Sequence, residues 1–220
     1  MAEQFSTQPI GFVESCFGEK FATPRQSGIV TSAQGRVVFT PEVDPEACRG
    51  LEEFSHIWLV FVFDQVPEED VRWLVRPPRL GGNEKKGVFA TRSPYRPNRI
   101  GLSLVKLEKV TSEGVEVSGL DLVDGTPILD LKPYLPYVES VPDAIGGFAE
   151  KAPEKLAVNF PEELKNSISP EDVELIIETL AIDPRPAYHS DPNREYGCLL
   201  AGRNVKWRAD ETAITIFKIT

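Results

Sequence analysis

Short stretches in which apolar residues alternate with polar ones dominate the first 135 residues or so of this chain. Ile10 to Phe17 and Gly35 to Thr40 read as strands. His56 to Gln65 is a nearly continuous apolar run, the pattern of a strand buried on both faces. Gly87 to Thr91 and Gly101 to Val110 follow, and in the second Val105 and Leu107 alternate with Lys106 and Glu108. Val115 and Val117 alternate with Glu116 and Ser118, and Pro127 to Lys132 ends the series. Many short strands joined by Gly/Pro turns predict a closed or nearly closed barrel. One short helix is expected at Pro45 to Arg49, with Asp44 as its N-cap.

The period changes after about residue 155. Ser169 is a good N-cap, Pro170 suits a first turn, and Val173, Ile176, Ile177 and Leu180 fall on one helical face. Tyr196 to Ala201, Asn204 to Arg208 and Ala213 to Ile219 return to strand patterning. The expected fold is therefore mainly β: a small antiparallel β-barrel N-terminal domain with a small α+β C-terminal domain. We place the barrel at 1–140, a linker or wrapping segment at 141–154, and the second domain at 155–220.

Composition narrows the class. With 41% hydrophobic and 26% charged residues over 220 positions, the chain is apolar enough to fold. Nineteen prolines and sixteen glycines fit the many turns. The longest apolar run, Ile57 to Phe63, is far short of the roughly 20 residues that span a bilayer. The opening Met1-Ala2-Glu3-Gln4 lacks the basic start of a signal peptide. A cytoplasmic protein without a membrane partner is the expectation. Cys16, Cys48 and Cys198 are far apart and form no CxxC pair, so neither a metal site nor a disulfide is expected. His56 and His189 have no nucleophile and acid partners in the pattern of a hydrolase triad. No phosphate-binding P-loop and no dinucleotide G-x-G-x-x-G appears. A ligand must therefore be held by loops on a barrel.

The net charge of −10 argues at first against nucleic acid, but its distribution does not. Between Arg72 and Lys109, ten Lys and Arg face only Glu84 and Glu108, a local charge of +8. Phosphate responds to the local field rather than to the total. Charge alone leaves two readings open: a nucleic-acid face, or surface arginines paired with the acidic remainder.

Four loop segments combine glycine or proline with charged and amide groups: Pro24 to Gly28, Arg76 to Asn83, Ala90 to Gly101, and Asp121 to Pro127. Singly each is an ordinary turn. Together the segments PIGFVES, KFATPRQSG, RGLEEFSHIWLVFVF, RPPRLGGN, GVFATRSPYRPNRIGLS, LDLVDGTPILDLKPYLPYVES and DPRPAY resemble the TsaA/TrmO family of S-adenosylmethionine-dependent tRNA methyltransferases, from about Pro9 to Tyr188. The resemblance implies a barrel enzyme, usually a homodimer, that methylates N6 of threonylcarbamoyladenosine at position 37, beside the tRNA anticodon. It places the donor at Pro24, Arg25, Gln26, Asp64, Gln65, Arg92, Leu102 and the run Asp121, Leu122, Val123, Asp124 and Gly125. Arg185 and Tyr188 fall in a substrate-side element. Asp64 and Arg99 depart from the usual residues, His and Pro respectively.

The chemistry adds roles. Asp121 or Asp124 suits the donor's amino group or ribose, and Arg25 or Arg92 its carboxylate. Methylating a nitrogen beside a carbonyl calls for a general base; Asp124 and a Tyr95-linked water are the candidates. Arg72, Arg76, Arg79, Lys85, Lys86 and Arg96 are the expected RNA contacts. Two rival functions remain open: an RNA-binding barrel without catalysis, and a methyltransferase for another acceptor. A purely structural interaction module is a third.

Overall fold

A computed structural model describes residues 5–78, 83–186, 189 and 191–220. Six strands form a closed antiparallel barrel: β1 (Gly11–Ser15), β2 (Gln34–Phe39), β3 (His56–Val62), β6 (Ile100–Thr111), β7 (Gly114–Ser118) and β8 (Pro127–Pro133). Their order around the wall is β1-β2-β7-β6-β3-β8. Inward positions carry Val13, Val37, Ile57, Leu59, Phe61, Val105, Leu107, Val115, Val117 and Ile128. Burying one such side chain stabilises the fold by roughly 1.5–3 kcal/mol.

The run at His56 differs from its expected burial. Ile57, Leu59 and Phe61 are buried while Trp58, Val60 and Val62 are only partly covered. On the outer face Trp58 Nε1 donates to Glu139 Oε1 at 2.8 Å, from the short helix α1 (Pro136–Glu139). The strand expected at Gly87 to Thr91 is a second departure. Pairing is confined to a small ladder between β4 (Leu74–Val75) and β5 (Lys86–Gly87), and residues 88–90 form a 3-10 turn, closed where Thr91 N–H and hydroxyl both reach Val88 O. At Pro45–Cys48 the helix is 3-10, and Asp44 caps it through Glu46 N–H.

Antiparallel pairing has a topological consequence. The chain leaves β1, β3 and β7, and enters β2, β6 and β8, at the same end of the barrel. The connections 16–33, 63–99 and 119–126 therefore crowd one mouth. Gly101 lies opposite Phe61 across β3 and β6. A Cβ there would overlap the Phe61 ring, so this mouth needs glycine.

The C-terminal sheet has the order β10-β11-β12-β9, from β9 (Ala157–Asn159), β10 (Tyr196–Leu200), β11 (Arg203–Ala209) and β12 (Ala213–Ile219). β9 runs parallel to β12, and the remaining pairs are antiparallel. A one-turn helix α2 (Glu162–Lys165) precedes α3 (Pro170–Ala181). Ser169 Oγ accepts from Asp172 N at 3.1 Å, and Leu175, Ile176 and Leu180 pack onto the sheet. The same core contains Phe17, Ala22, Val30 and Ala33, from the loop between β1 and β2. Trp207, fully buried, stacks on Tyr196 at 4.5 Å and lies parallel to Phe21 at 6.5 Å. The loop after β1 is thus built into the second domain.

Candidate functional site

Three fixings hold the loop 16–33. Phe17 bridges to Leu200, and Cys16 O accepts from Ala201 N at 3.1 Å. Glu19 accepts from Leu199 N at 2.8 Å. Glu178, on α3, accepts from Ser32 N at 2.8 Å, Ser32 Oγ at 2.7 Å and Thr31 Oγ1 at 3.0 Å. Burial pulls the Glu178 pKa up, but the Ser32 amide, the Ser32 hydroxyl and the Thr31 hydroxyl outweigh it and leave the group below its ordinary 4.5. Between these fixings the loop presents Pro24 to Gly28 to the mouth. Gly28, at φ +74°, donates to Gly119 O at 2.8 Å and so joins the connection after β7.

The loops meet at Asp121. Ser103 occupies an inward position on β6 where an apolar residue would be the ordinary choice, and it is buried. Its hydroxyl donates to Asp121 Oδ1 at 2.6 Å. Burial raises the Asp121 carboxyl from its ordinary 3.8 to about 6. The Ser103 hydroxyl, its own amide, the Arg92 charge and the Ser27 amide each pull it down without cancelling that rise. Arg92 Nη1 donates to Gln26 Oε1 at 2.6 Å. A carboxyl with its pKa raised to about 6, an arginine and an amide thus come from three separate connections. This is the pattern of a site prepared for chemistry.

The other expected donor positions lie around this centre. Pro24 is buried and Arg25 exposed. Asp64 and Gln65 are exposed at the end of β3, and Gln65 O accepts from Lys20 Nζ at 2.9 Å, which ties them to the first loop. Leu102 is exposed on the face of β6 opposite to Ser103, so its side chain points away from Asp121. Leu122 O accepts from Ser15 Oγ at 2.7 Å, and Val123 O accepts from Thr126. Asp124 Oδ1 accepts from Ser15 N at 2.9 Å, its own amide donates to Phe17 O, and Gly125, at φ +78°, donates to Val13 O. The Asp121–Gly125 run is therefore braced against β1. Tyr95 lies under Arg72, whose guanidinium carbon is 3.7 Å from the ring centre.

The expected RNA contacts fall into groups. Arg72 also pairs with Asp70 at 2.7 Å, and Lys86 pairs with Glu84. Arg76 and Lys85 are exposed. Arg96 turns inward to Thr91 O and Ser93 O, both at 3.3 Å, and holds its own loop. Arg185 is engaged by Asp183 at 2.7 Å and donates to Ala209 O and Asp210 O inside the second domain. Arg79 and Tyr188 lie outside the described residues. Ser27, Ser103 and Lys20 were missed from the sequence. Ser103 had a signal, being the polar residue in the inward register Gly101, Val105, Leu107. Among the described residues no group of three or more His, Cys, Asp and Glu is placed to hold a metal ion, and no helix is long and apolar enough to cross a membrane.

A closed antiparallel barrel with a carboxylate–arginine–amide site at one mouth defines a loop-built polar-ligand site on a non-Rossmann scaffold. Comparison with known proteins narrows this. The family model for the tRNA-methyltransferase O N-terminal domain matches residues 12–140, and that for the TrmO C-terminal domain matches 153–220. The chain belongs to the tRNA-methyltransferase O family. It is 45% identical to the tRNA (adenine(37)-N6)-methyltransferase of Escherichia coli K12, over 98% of this chain and 97% of that protein. It is 46% identical to a putative S-adenosylmethionine-dependent methyltransferase, RcsF, of Pseudomonas aeruginosa, over 92% and 91%. A crystal structure of TrmO from P. aeruginosa superimposes with a TM-score of 0.84 at 38% identity, covering 100% of this chain and 98% of that one.

Proposed function

We propose that this protein transfers a methyl group from S-adenosylmethionine to N6 of threonylcarbamoyladenosine 37 in tRNA, in the cytoplasm and as a homodimer. The observation that carries this reading is the meeting of Asp121, Arg92 and Gln26 at the mouth of the barrel. When bound, S-adenosylmethionine supplies an electrophilic methyl group on a positively charged sulfonium. The residues present fit such a donor: a buried anion suits a cationic centre, and an arginine suits an amino-acid carboxylate.

Arg92, aligned by Gln26, would hold the donor carboxylate. The Pro24–Gln26 and Leu122–Gly125 loops, fixed to each other through Gly28 and Gly119, form the walls. Asp121 takes the proton from the acceptor N–H, whose lone pair is otherwise delocalised into the neighbouring carbonyl. A base that ionises near pH 6 is charged at neutral pH and still basic enough to help. Asp124 and Tyr95 hold the frame, one through Ser15 and the other under Arg72. Positioning of this kind is itself worth several kcal/mol. A second subunit is supported by Tyr137, Val138, Val141 and Ile145, which stand exposed along 137–145; Ile145 is 92% exposed.

Titration calorimetry with S-adenosylmethionine tests the donor site. Saturable 1:1 binding per chain is expected, weakened at least tenfold by Arg92→Ala. Absent binding, with tRNA still bound, would leave an RNA-binding barrel without catalysis.

A further inference from the structure

The connection from β3 to β6 carries three large apolar side chains that the fold does not bury. Trp73 is 64% exposed, Leu74 59% and Phe89 72%. They are not scattered. Leu74 pairs with Gly87 in the β4–β5 ladder, and Val88 N donates to Trp73 O at 3.0 Å. Trp73 and Phe89 therefore stand at the same end of one short ladder. Its surface is open at Gly87, where an added Cβ would meet nothing within 4 Å. A grouped apolar surface on a folded chain marks an interaction site.

Charge decides between partners. Arg76 and Lys85 stand exposed beside the same ladder, and Arg72 and Lys86 are paired with Asp70 and Glu84, so these six residues together keep a net positive charge. Flat aromatic faces set among cations suit unstacked bases joined by phosphates, because every base has a face that stacks and every linkage a charge to neutralise. The location fits as well. Phe89 precedes Arg92 by three residues, and Arg72 N donates to Tyr95 O at 3.1 Å, so the end of the ladder that carries Trp73 and Phe89 adjoins the Arg92 loop. An enzyme that takes one adenosine out of its stack leaves the adjoining bases with an uncovered face, which an aromatic ring can cover.

We propose that Trp73 and Phe89 form a stacking platform for the unpaired nucleotides beside the target adenosine. This rests on the tRNA-methylation reading above. Stacking and phosphate contact differ in a measurable way. Loss of a stacked ring weakens binding without changing the number of counterions released, whereas loss of a cation lowers the salt slope.

The test uses the full chain and an anticodon stem-loop RNA hairpin, with binding measured without donor across a series of salt concentrations. Trp73→Ala and Phe89→Ala are each expected to weaken binding about tenfold, within the range for a stacked base. The slope of log K against log salt should not change. Trp73→Phe should restore most of the affinity, and Arg76→Ala should lower the slope by about 1. Calorimetry with S-adenosylmethionine should give wild-type donor affinity for both aromatic variants. Unchanged hairpin binding by the alanine variants overturns the proposal. So does a shift from dimer to monomer in sedimentation, which would make this surface a subunit contact. Because the readout needs no methyl transfer, failure of the catalytic reading leaves the platform separately testable.

Discussion

Replacing Asp121 by Asn should remove activity and raise stability together. With a carboxyl that ionises at about pH 6, the wild-type site is roughly nine-tenths charged at pH 7 and one-tenth charged at pH 5. Activity expressed as kcat/KM should fall about tenfold per pH unit below 6. A side-chain amide cannot accept a proton, so Asp121→Asn should lose about a hundredfold or more at pH 7.5, with no acid limb. The stability effect has the opposite sign. Because the folded pKa lies above the ordinary 3.8, the contribution of this group is fully present below 3.8 and is lost as pH rises through 6. At 1.36 kcal/mol per pH unit, the charged form costs the folded state up to about 3 kcal/mol at pH 8. The neutral amide escapes that cost: its Oδ1 can accept from the Ser27 amide while its NH2 donates to the Ser103 hydroxyl. The Tm difference, variant minus wild type, should therefore rise by several degrees, about 6–10 °C at most, between pH 4 and pH 8. Matched pH–rate profiles and thermal melts read both effects. A Tm difference that is flat with pH, or a variant that keeps its turnover, would refute the reasoning.

Three further perturbations follow from the same geometry. Glu178→Ala leaves the Ser32 amide without its acceptor, so stability should fall by about 1–3 kcal/mol in denaturant titrations and donor affinity should fall with it. Since the folded Glu178 pKa is lowered, the contribution of its charge is present above pH 4.5 and fades as pH drops through the folded value; the gap between variant and wild type should narrow in acid. Gly101→Ala pushes the new methyl into the Phe61 ring and should cost about 1–3 kcal/mol, read as a shift in the urea midpoint. Arg92→Lys keeps the charge but not the planar fork, so donor affinity should drop about tenfold while the melting curve is unchanged.

Much of this was legible in the chain because strand alternation is local. β1, β2, β6, β7, β8 and the three C-terminal strands β10 to β12 show it directly, as α3 shows its N-cap and apolar face. What misled was context. The outer residues of β3 read as core because they are apolar, yet Trp58, Val60 and Val62 are only partly covered, and Trp58 bonds a segment about eighty residues away. β9, three residues long, exists only through its parallel pairing with β12. At the site, the sequence pointed to the loops and not to their meeting. Nothing local says that Ser103 reaches Asp121, or that a loop from the barrel is packed into the core of the other domain. Arg96 and Arg185 illustrate the same limit. Nothing local says that their guanidinium groups donate to carbonyls and a carboxylate of their own chain.

The most direct test is methyl transfer itself. Purified protein and labelled S-adenosylmethionine are incubated with two tRNA pools, one carrying threonylcarbamoyladenosine and one lacking it, and the nucleosides are identified by mass spectrometry. Label on N6 of the modified nucleoside, absent from the unmodified pool and from Asp121→Asn, is the expected result. Label at another position, equal label in both pools, or no label despite bound donor and tRNA would contradict it.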